Sequence, residues 1–177
     1  IGAIDTGMFP NPKLSVTTSM VCDGNINTFR YIEQHHDVPS FVIDIPHDYS
    51  EEAVSYVTKQ LEELITLLEE KTGKKMDYER LKENIRRENR SKAHYLSFLE
   101  KRKTHAYPNT LTLILFQLFA SHLDIGMEWV EEFFAMMDEE IDHYPLSDEK
   151  RLFWIHLEPY AQEALKGFLN YGDKVTI

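Results

Sequence analysis

The sequence predicts an α/β chain in which two parallel-sheet units flank an all-helical block. Three observations lead there. A strand, turn, helix, strand order fills the first fifty residues; helical periodicity then runs from residue 50 to 145; and a strand pattern returns after Pro145. The expected divisions are residues 1–49, the later part of a first α/β domain; residues 50–145, a helical segment; and residues 146–177, the start of a second α/β domain.

Leu14 to Ser19 is short and β-branched, and Pro10 and Pro12 stop any helix from running into it, so it reads as a buried strand. Cys22-Asp23-Gly24 follows, and Asn25 to His36 carries Ile26, Phe29 and Ile32 at helical spacing. Val38-Pro39 breaks that helix. Ser40 to Ile45 is a second strand closed by Pro46. A βαβ unit of this length makes the two strands parallel and the crossover right-handed.

Ser50 is a good N-cap, with Glu51 and Glu52 at the positive end of the helix dipole. Behind it Val54, Val57, Leu61, Leu64, Ile65 and Leu68 form an expected apolar stripe, ended by Gly73. Asp77 caps another long helix whose expected inward line is Leu81, Ile85, Leu96 and Leu99, broken in its middle at Arg86-Arg87-Glu88-Asn89-Arg90. After Pro108, Thr110 is positioned to cap a helix from Leu111 to Phe119 that is apolar almost all round, which predicts burial on several sides. Gly126 ends it. Trp129, Val130, Phe133, Phe134 and Met137 make a further amphipathic helix, and Phe116, Phe119, Phe133 and Phe134 are expected in the core. Leu152 to Leu157 then reads as a buried strand, followed by a helix through Ala164, Leu165 and Phe168 and a strand beginning at Val175.

Each βαβ unit shows only two strands, and a two-stranded parallel sheet cannot cover its own faces. Both sheets are therefore expected to be completed by polypeptide outside the chain. Ile1 in place of Met and the apolar ending Val175-Thr176-Ile177 suggest the same, an interior fragment.

The 177 residues are 42% hydrophobic and 28% charged, which sets aside disordered and fibrous classes. Leu111 to Ala120, the longest apolar stretch, is interrupted by Thr112 and Gln117 and is far short of the ~20 residues a bilayer crossing needs. No signal-peptide pattern is present, so the cytoplasm is expected. A formal charge of -11 works against nucleic acid and against anionic membrane surfaces. A single cysteine excludes an internal disulfide.

Cys22 falls just past a predicted strand and at a helix start, where α/β sheets place ligand sites and where a thiol pKa is lowered. An inert buried cysteine fits the same position. One thiolate does not hold an iron-sulfur cluster by itself. His35-His36 sits at a helix C-terminus, where the dipole alone accounts for it. His47 with Asp48, and His156 with Glu158, follow strands and face either a cleft or solvent. Arg86, Arg87 and Arg90 offer guanidinium forks to phosphate, or form a solvated face with Glu83 paired to Arg87. Asn89 falls on the interrupted stripe as a candidate buried hydrogen-bonding group. Glycine-rich phosphate loops, HExxH and the nucleophile elbow are absent from the sequence.

The runs Gly7-Met8-Phe9-Pro10-Asn11-Pro12-Lys13, Thr17-Thr18-Ser19-Met20-Val21-Cys22-Asp23-Gly24-Asn25, Val38-Pro39 and Ile43-Asp44-Ile45-Pro46 resemble the 2-hydroxyacyl-CoA dehydratase and benzoyl-CoA reductase family. Tyr56-Val57, Gln60-Leu61, Gly73-Lys74-Lys75-Met76 and Leu152 to Pro159 are similar to it in order and spacing. The resemblance implies parts of two flavodoxin-like domains joined by helices, and a 4Fe-4S cluster with Cys22 as one ligand and the remaining cysteines outside this segment. It implies an oxygen-sensitive, anaerobic heterodimer: a homologous second subunit, an ATP-hydrolysing iron-sulfur activator protein, and an acyl-CoA substrate from which water is eliminated. Asp23, Gly24 and Asn25 would shape the turn, and Asp23, Asn25 and His156 are the candidate substrate-binding residues.

Overall fold

The computed structural model describes residues 2–20, 23–108, 111–148, 150–151 and 175–176. It is α/β and mostly helical, and divides into two compact units, Ile1–Met76 and Asp77–Ile177.

In the first unit a four-residue helix α1 (Gly2–Asp5) precedes β1 (Ser15–Thr18), α2 (Asp23–His36), β2 (Ser40–Ile43) and α3 (Glu51–Thr72). β1 and β2 pair in parallel, Ser15 opposite Ser40 through Thr18 opposite Ile43, with α2 as the crossover expected from the sequence. Asp37, at φ 50, ends α2 in the left-handed region, and the Val38 N–H returns to the Glu33 carbonyl at 3.2 Å. This is a Schellman ending on a residue whose short polar side chain tolerates that conformation.

β2 stops at Ile43, two residues before the predicted end, because side chains replace the ladder there. The Asp44 N–H donates to Gln60 Oε1 and the Ile45 N–H to Ser19 Oγ, both at 2.8 Å.

Ser50 Oγ accepts the Ala53 N–H at 3.1 Å, and Gly73, at φ 70, closes α3 with its N–H on the Glu69 carbonyl at 2.9 Å. Both caps are as the sequence predicts. The stripe is not. Ala53 and Leu64 are the buried positions, with Val57 and Gln60 half-buried between them, whereas Val54, Leu61 and Leu68 are exposed. α3 meets the end of β2 through Gln60, and that contact turns the 53–57–60–64 line inward.

The second unit contains α4 (Tyr78–Lys101), α5 (Leu111–His122), α6 (Glu128–Glu140), a 3₁₀ turn (Ile141–His143), and a short parallel pairing of β3 (Lys150–Arg151) with β4 (Val175–Thr176). Asp77 caps α4 through the Arg80 N–H at 2.9 Å. The core is Phe98, Tyr107, Ala120, Val130, Phe134, Met137 and Ile141, with Tyr95, Leu99, Leu113, Phe133 and Tyr144 packed against it. After α4 the chain runs beside the segment following the 3₁₀ turn: the Ala106 N–H donates to the Pro145 carbonyl and the Ser147 N–H to the Thr104 carbonyl, each at 2.9 Å.

Three expectations for this unit are corrected. Leu81, Ile85 and Leu96 are exposed, Leu96 at 63%, and α4 turns Ser91 and Phe98 inward. Ser91 tolerates burial because its Oγ donates to the Arg87 carbonyl at 3.0 Å within the helix. Asn89 is exposed rather than buried. α5 is not enclosed: Gln117 and Ala120 face the core while Phe116 and Phe119 are exposed, because the core contacts one face of the helix only. Of the four phenylalanines expected inside, Phe134 is buried and Phe133 packs on it.

The predicted strand Leu152 to Leu157, the helix through Phe168, and the Thr110 cap lie outside the described residues. No helix among the described residues is long and apolar enough to cross a membrane.

Candidate functional site

The carboxyl ends of β1 and β2 lie side by side, and a parallel sheet presents its ligand-facing loops at that edge. The strand ends are joined there by a hydrogen-bond network. The Ser19 N–H donates to the Ile43 carbonyl at 2.9 Å, and Ser19 Oγ donates to Asp44 Oδ1 at 3.0 Å while accepting the Ile45 N–H. From α3, Tyr56 OH donates to Asp44 Oδ2 at 3.1 Å, and Gln60 Nε2 donates to the Asp44 carbonyl at 2.9 Å. The Asp44 carboxylate beside it holds the Tyr56 hydroxyl's pKa above the usual tyrosine range, first through that hydrogen bond and then through its charge.

Tyr56 and Gln60 are one helical turn apart, so both side chains reach the same strand end. The sequence marks Ser19 and Asp44 as strand residues and all four of Ser19, Asp44, Tyr56 and Gln60 as parts of a resemblance, without joining them. The signal that would have joined them is the i, i+4 polar pair in the first three turns after the Ser50 N-cap, on a helix that follows a strand with Asp just past its end.

Asp48, which the sequence leaves open between a cleft and solvent, is exposed at the rim of a recess beyond β2 and accepts from Ser50 Oγ, which lowers its pKa. It belongs to the cap of α3. His47 is exposed. Beyond β2 a recess of about 460 Å³ is lined by Ile45, Pro46, Tyr49, Ala53 and Val57. His35 stacks on Tyr31 with ring centroids 5.4 Å apart, and His36 lines a separate cavity between α2 and the segment before β1.

The arginines are committed to carboxylates and, at Arg87, to a main-chain carbonyl. Arg90 grips Glu131 at two points, Nε to Oε1 at 2.6 Å and Nη2 to Oε2 at 3.0 Å, and reaches Glu83 at 3.2 Å. Arg87 Nη1 donates to the Gly126 carbonyl at 3.0 Å, and Arg86 pairs with Glu83 at 3.6 Å. The expected Glu83–Arg87 pair is replaced by Glu83 with Arg86 and Arg90, and the cluster binds α4 to α6 rather than offering forks to phosphate.

Asn25 is half-buried in the first turn of α2, which begins at Asp23. Cys22 and His156 lie outside the described residues. Among the described residues no three His, Cys, Asp or Glu side chains gather as a metal site. Cys22 is the chain's single thiol, and one thiolate is an incomplete donor set for a cluster.

Comparison with known proteins gives the family. Residues 1–176 match the family model for 2-hydroxyglutaryl-CoA dehydratase, D-component. The (R)-phenyllactyl-CoA dehydratase alpha subunit of Clostridium sporogenes is 25% identical over 99% of this chain and 47% of its own length. The lactoyl-CoA dehydratase subunit alpha of Anaerotignum propionicum is 27% identical over 94% of the chain and 43% of that protein. The (R)-2-hydroxyglutaryl-CoA dehydratase subunit alpha of Acidaminococcus fermentans is 30% identical over 46% of the chain and 18% of that protein. The chain thus spans less than half the length of the curated relatives it matches. With the family model running through both units, the chain belongs to the 2-hydroxyglutaryl-CoA dehydratase D-component family.

Proposed function

We propose that this chain is part of a cluster-carrying subunit of an ATP-activated, radical-type 2-hydroxyacyl-CoA dehydratase, which eliminates water from a 2-hydroxyacyl-CoA to give an enoyl-CoA. The observation that carries the reading is the likeness to dehydratase alpha subunits along almost the whole chain. The β1–α2–β2 unit and the β3–β4 pairing are read as parts of two flavodoxin-like domains in a longer cytoplasmic, oxygen-sensitive protein. Its partners are a homologous second subunit and an ATP-hydrolysing iron-sulfur activator.

Cys22 is assigned as one ligand of a 4Fe-4S cluster, the other cysteines coming from outside this segment. When bound, the cluster supplies low-potential one-electron chemistry. The chain's own residues then bind and orient. The Ser19–Asp44 network ties together the ends of β1 and β2, Cys22 following Ser19 by three residues in the sequence, Asp23 and Asn25 open the helix that follows, and the apolar recess at Ile45 and Pro46 has room for the acyl group of the thioester. His156 is kept as a substrate-binding candidate.

The test uses the full-length protein with its partner subunit and activator under strict anaerobiosis. Iron content, electron paramagnetic resonance and ATP-dependent dehydration of 2-hydroxyacyl-CoA thioesters are compared between the native protein and Cys22→Ser. Loss of iron and of turnover is expected. Unchanged iron in Cys22→Ser overturns the assignment. Iron retained by the native complex without dehydration of any 2-hydroxyacyl-CoA points to a benzoyl-CoA-type reductase subunit or an electron-transfer relative instead.

A further inference from the structure

We propose that Asp44 is a positioning residue: its carboxylate, held between the Ser19 and Tyr56 hydroxyls, fixes the point at which the chain leaves β1, three residues before Cys22 in the sequence.

The direction of the hydrogen bonds carries the argument. An ionised carboxylate only accepts, so both hydroxyls that reach Asp44 must point their protons at it. With its proton committed to Oδ1, the Ser19 oxygen presents a lone pair, and the Ile45 N–H takes it at 2.8 Å. The Ser19 backbone N–H is meanwhile bound to the Ile43 carbonyl at 2.9 Å. Ser19 is thereby held by main chain and side chain together, at three points, where β1 ends. The next residue is tied back as well, since the Met20 N–H donates to Thr18 Oγ1 at 3.1 Å.

Asp44 is in turn held by elements other than β1. Its N–H and carbonyl are taken by the Gln60 amide, and its second carboxylate oxygen by Tyr56, both from α3. α3 runs 22 residues between well-formed caps at Ser50 and Gly73, so the anchor is rigid. A strand end that only needed its backbone satisfied would use ladder bonds or water. Here four side chains, two from the residues just past β1 and β2 and two from α3, converge on a single exit point, and Cys22 comes three residues after Ser19 in the sequence.

The functional stake rests on the reading of Cys22 as a ligand given above, but the positional inference does not, and the experiment separates the two. Full-length protein freed of iron is alkylated in its native state with excess iodoacetamide, and the peptide carrying Cys22 is followed by mass spectrometry. Removal of the carboxylate (Asp44→Ala) or of the hydroxyl it holds (Ser19→Ala) is expected to change the Cys22 labelling rate by about fivefold or more, the order expected from losing one or two hydrogen bonds. Asp44→Asn keeps an oxygen for Ser19 and turns its NH₂ to the exposed Tyr56 hydroxyl, so it is expected to stay within about twofold of the native rate. Tyr56→Phe leaves the Ser19 contact intact and gives a smaller change in the same direction, which keeps the test usable should Asp44→Ala not fold.

Leu64→Ala, which removes a buried side chain one helical turn beyond Gln60 and none of the hydrogen-bonding groups, controls for general loosening. Labelling that is unchanged in the alanine variants, or changed equally in Leu64→Ala, overturns the proposal. A second readout is the electron paramagnetic resonance line shape of the reconstituted protein, expected to differ between Asp44→Ala and native at equal iron content. If Cys22→Ser retains its iron while the labelling pattern holds, the ligand reading fails and the positioning role stands.

Discussion

Arg90 holds Glu131 through two parallel N–H to oxygen contacts, at 2.6 and 3.0 Å, across the α4–α6 packing. Planar guanidinium and carboxylate match in this geometry, which makes it stronger than a single-point ion pair. The pair is partly solvated, so Arg90→Ala is expected to lower the unfolding free energy by about 1 kcal/mol, and Arg90→Lys, which loses the fork, by nearly as much. Urea denaturation at low and high salt checks this, with the difference shrinking as salt rises.

The same contact predicts a pH dependence. Hydrogen bonding to Arg90 is the main cause lowering the Glu131 pKa from its ordinary 4.5. A carboxyl depressed on folding adds stability above its unfolded pKa and loses it as pH falls through the folded one. Stability of native protein should therefore fall more steeply below about pH 4.5 than that of Glu131→Gln, as read by denaturation midpoints between pH 6 and pH 3.

Tyr56 should ionise later than an ordinary tyrosine. Its folded pKa is raised, so the contribution to stability is fully present below the unfolded value near 10 and is lost as pH rises through the folded one. The ultraviolet difference titration of native protein minus Tyr56→Phe isolates this group. In an Asp44→Asn background the transition is expected to move back down.

Two glycines with positive φ should respond differently to alanine. Gly73, at φ 70, has open space where a Cβ would stand, so Gly73→Ala carries the left-handed strain alone, about 1 kcal/mol. At Gly126, φ 79, a Cβ would meet the Cβ and carbonyl oxygen of Asn84 at 3.0 Å, so strain and a backbone clash add, giving about 2–3 kcal/mol. Equilibrium unfolding of the two variants gives the comparison.

Phe98 and Leu96 test which face of α4 is inside. Phe98→Ala is expected to cost about 3–5 kcal/mol and Leu96→Ala less than about 0.5 kcal/mol. Equal losses would restore the line that the apolar spacing suggests.

These cases show what the sequence made legible. Caps were readable because they are local: Ser50, Gly73 and Asp77 act on backbone groups within a turn of themselves. The parallel β1–β2 pairing followed from a strand–helix–strand order whose crossover admits little else. Inward faces were harder. In α3 and α4 the apolar residues occupy more than one line along the helix, and the line buried in these units depends on Gln60 meeting the end of β2 and on α6 packing against α4, which are tertiary facts. The arginine cluster was read through neighbours in sequence, whereas its partner Glu131 is 41 residues away. At the candidate site, the position of the strand ends was legible and the network joining them was not, since it assembles residues 19, 44, 56 and 60 from three elements.

Gln60 has a consequence for how the first unit meets other chains. In a parallel strand a residue's N–H and carbonyl point to the same side, and those of Asp44 face away from β1, because the preceding carbonyl, of Ile43, is bound to Ser19. The Gln60 amide takes both Asp44 groups, donor to acceptor and acceptor to donor, in the manner of a neighbouring strand. It therefore acts as edge protection. A foreign strand approaching the outer side of β2 finds its last hydrogen-bonding station already filled, and one helical side chain discourages edge-to-edge aggregation at that tip.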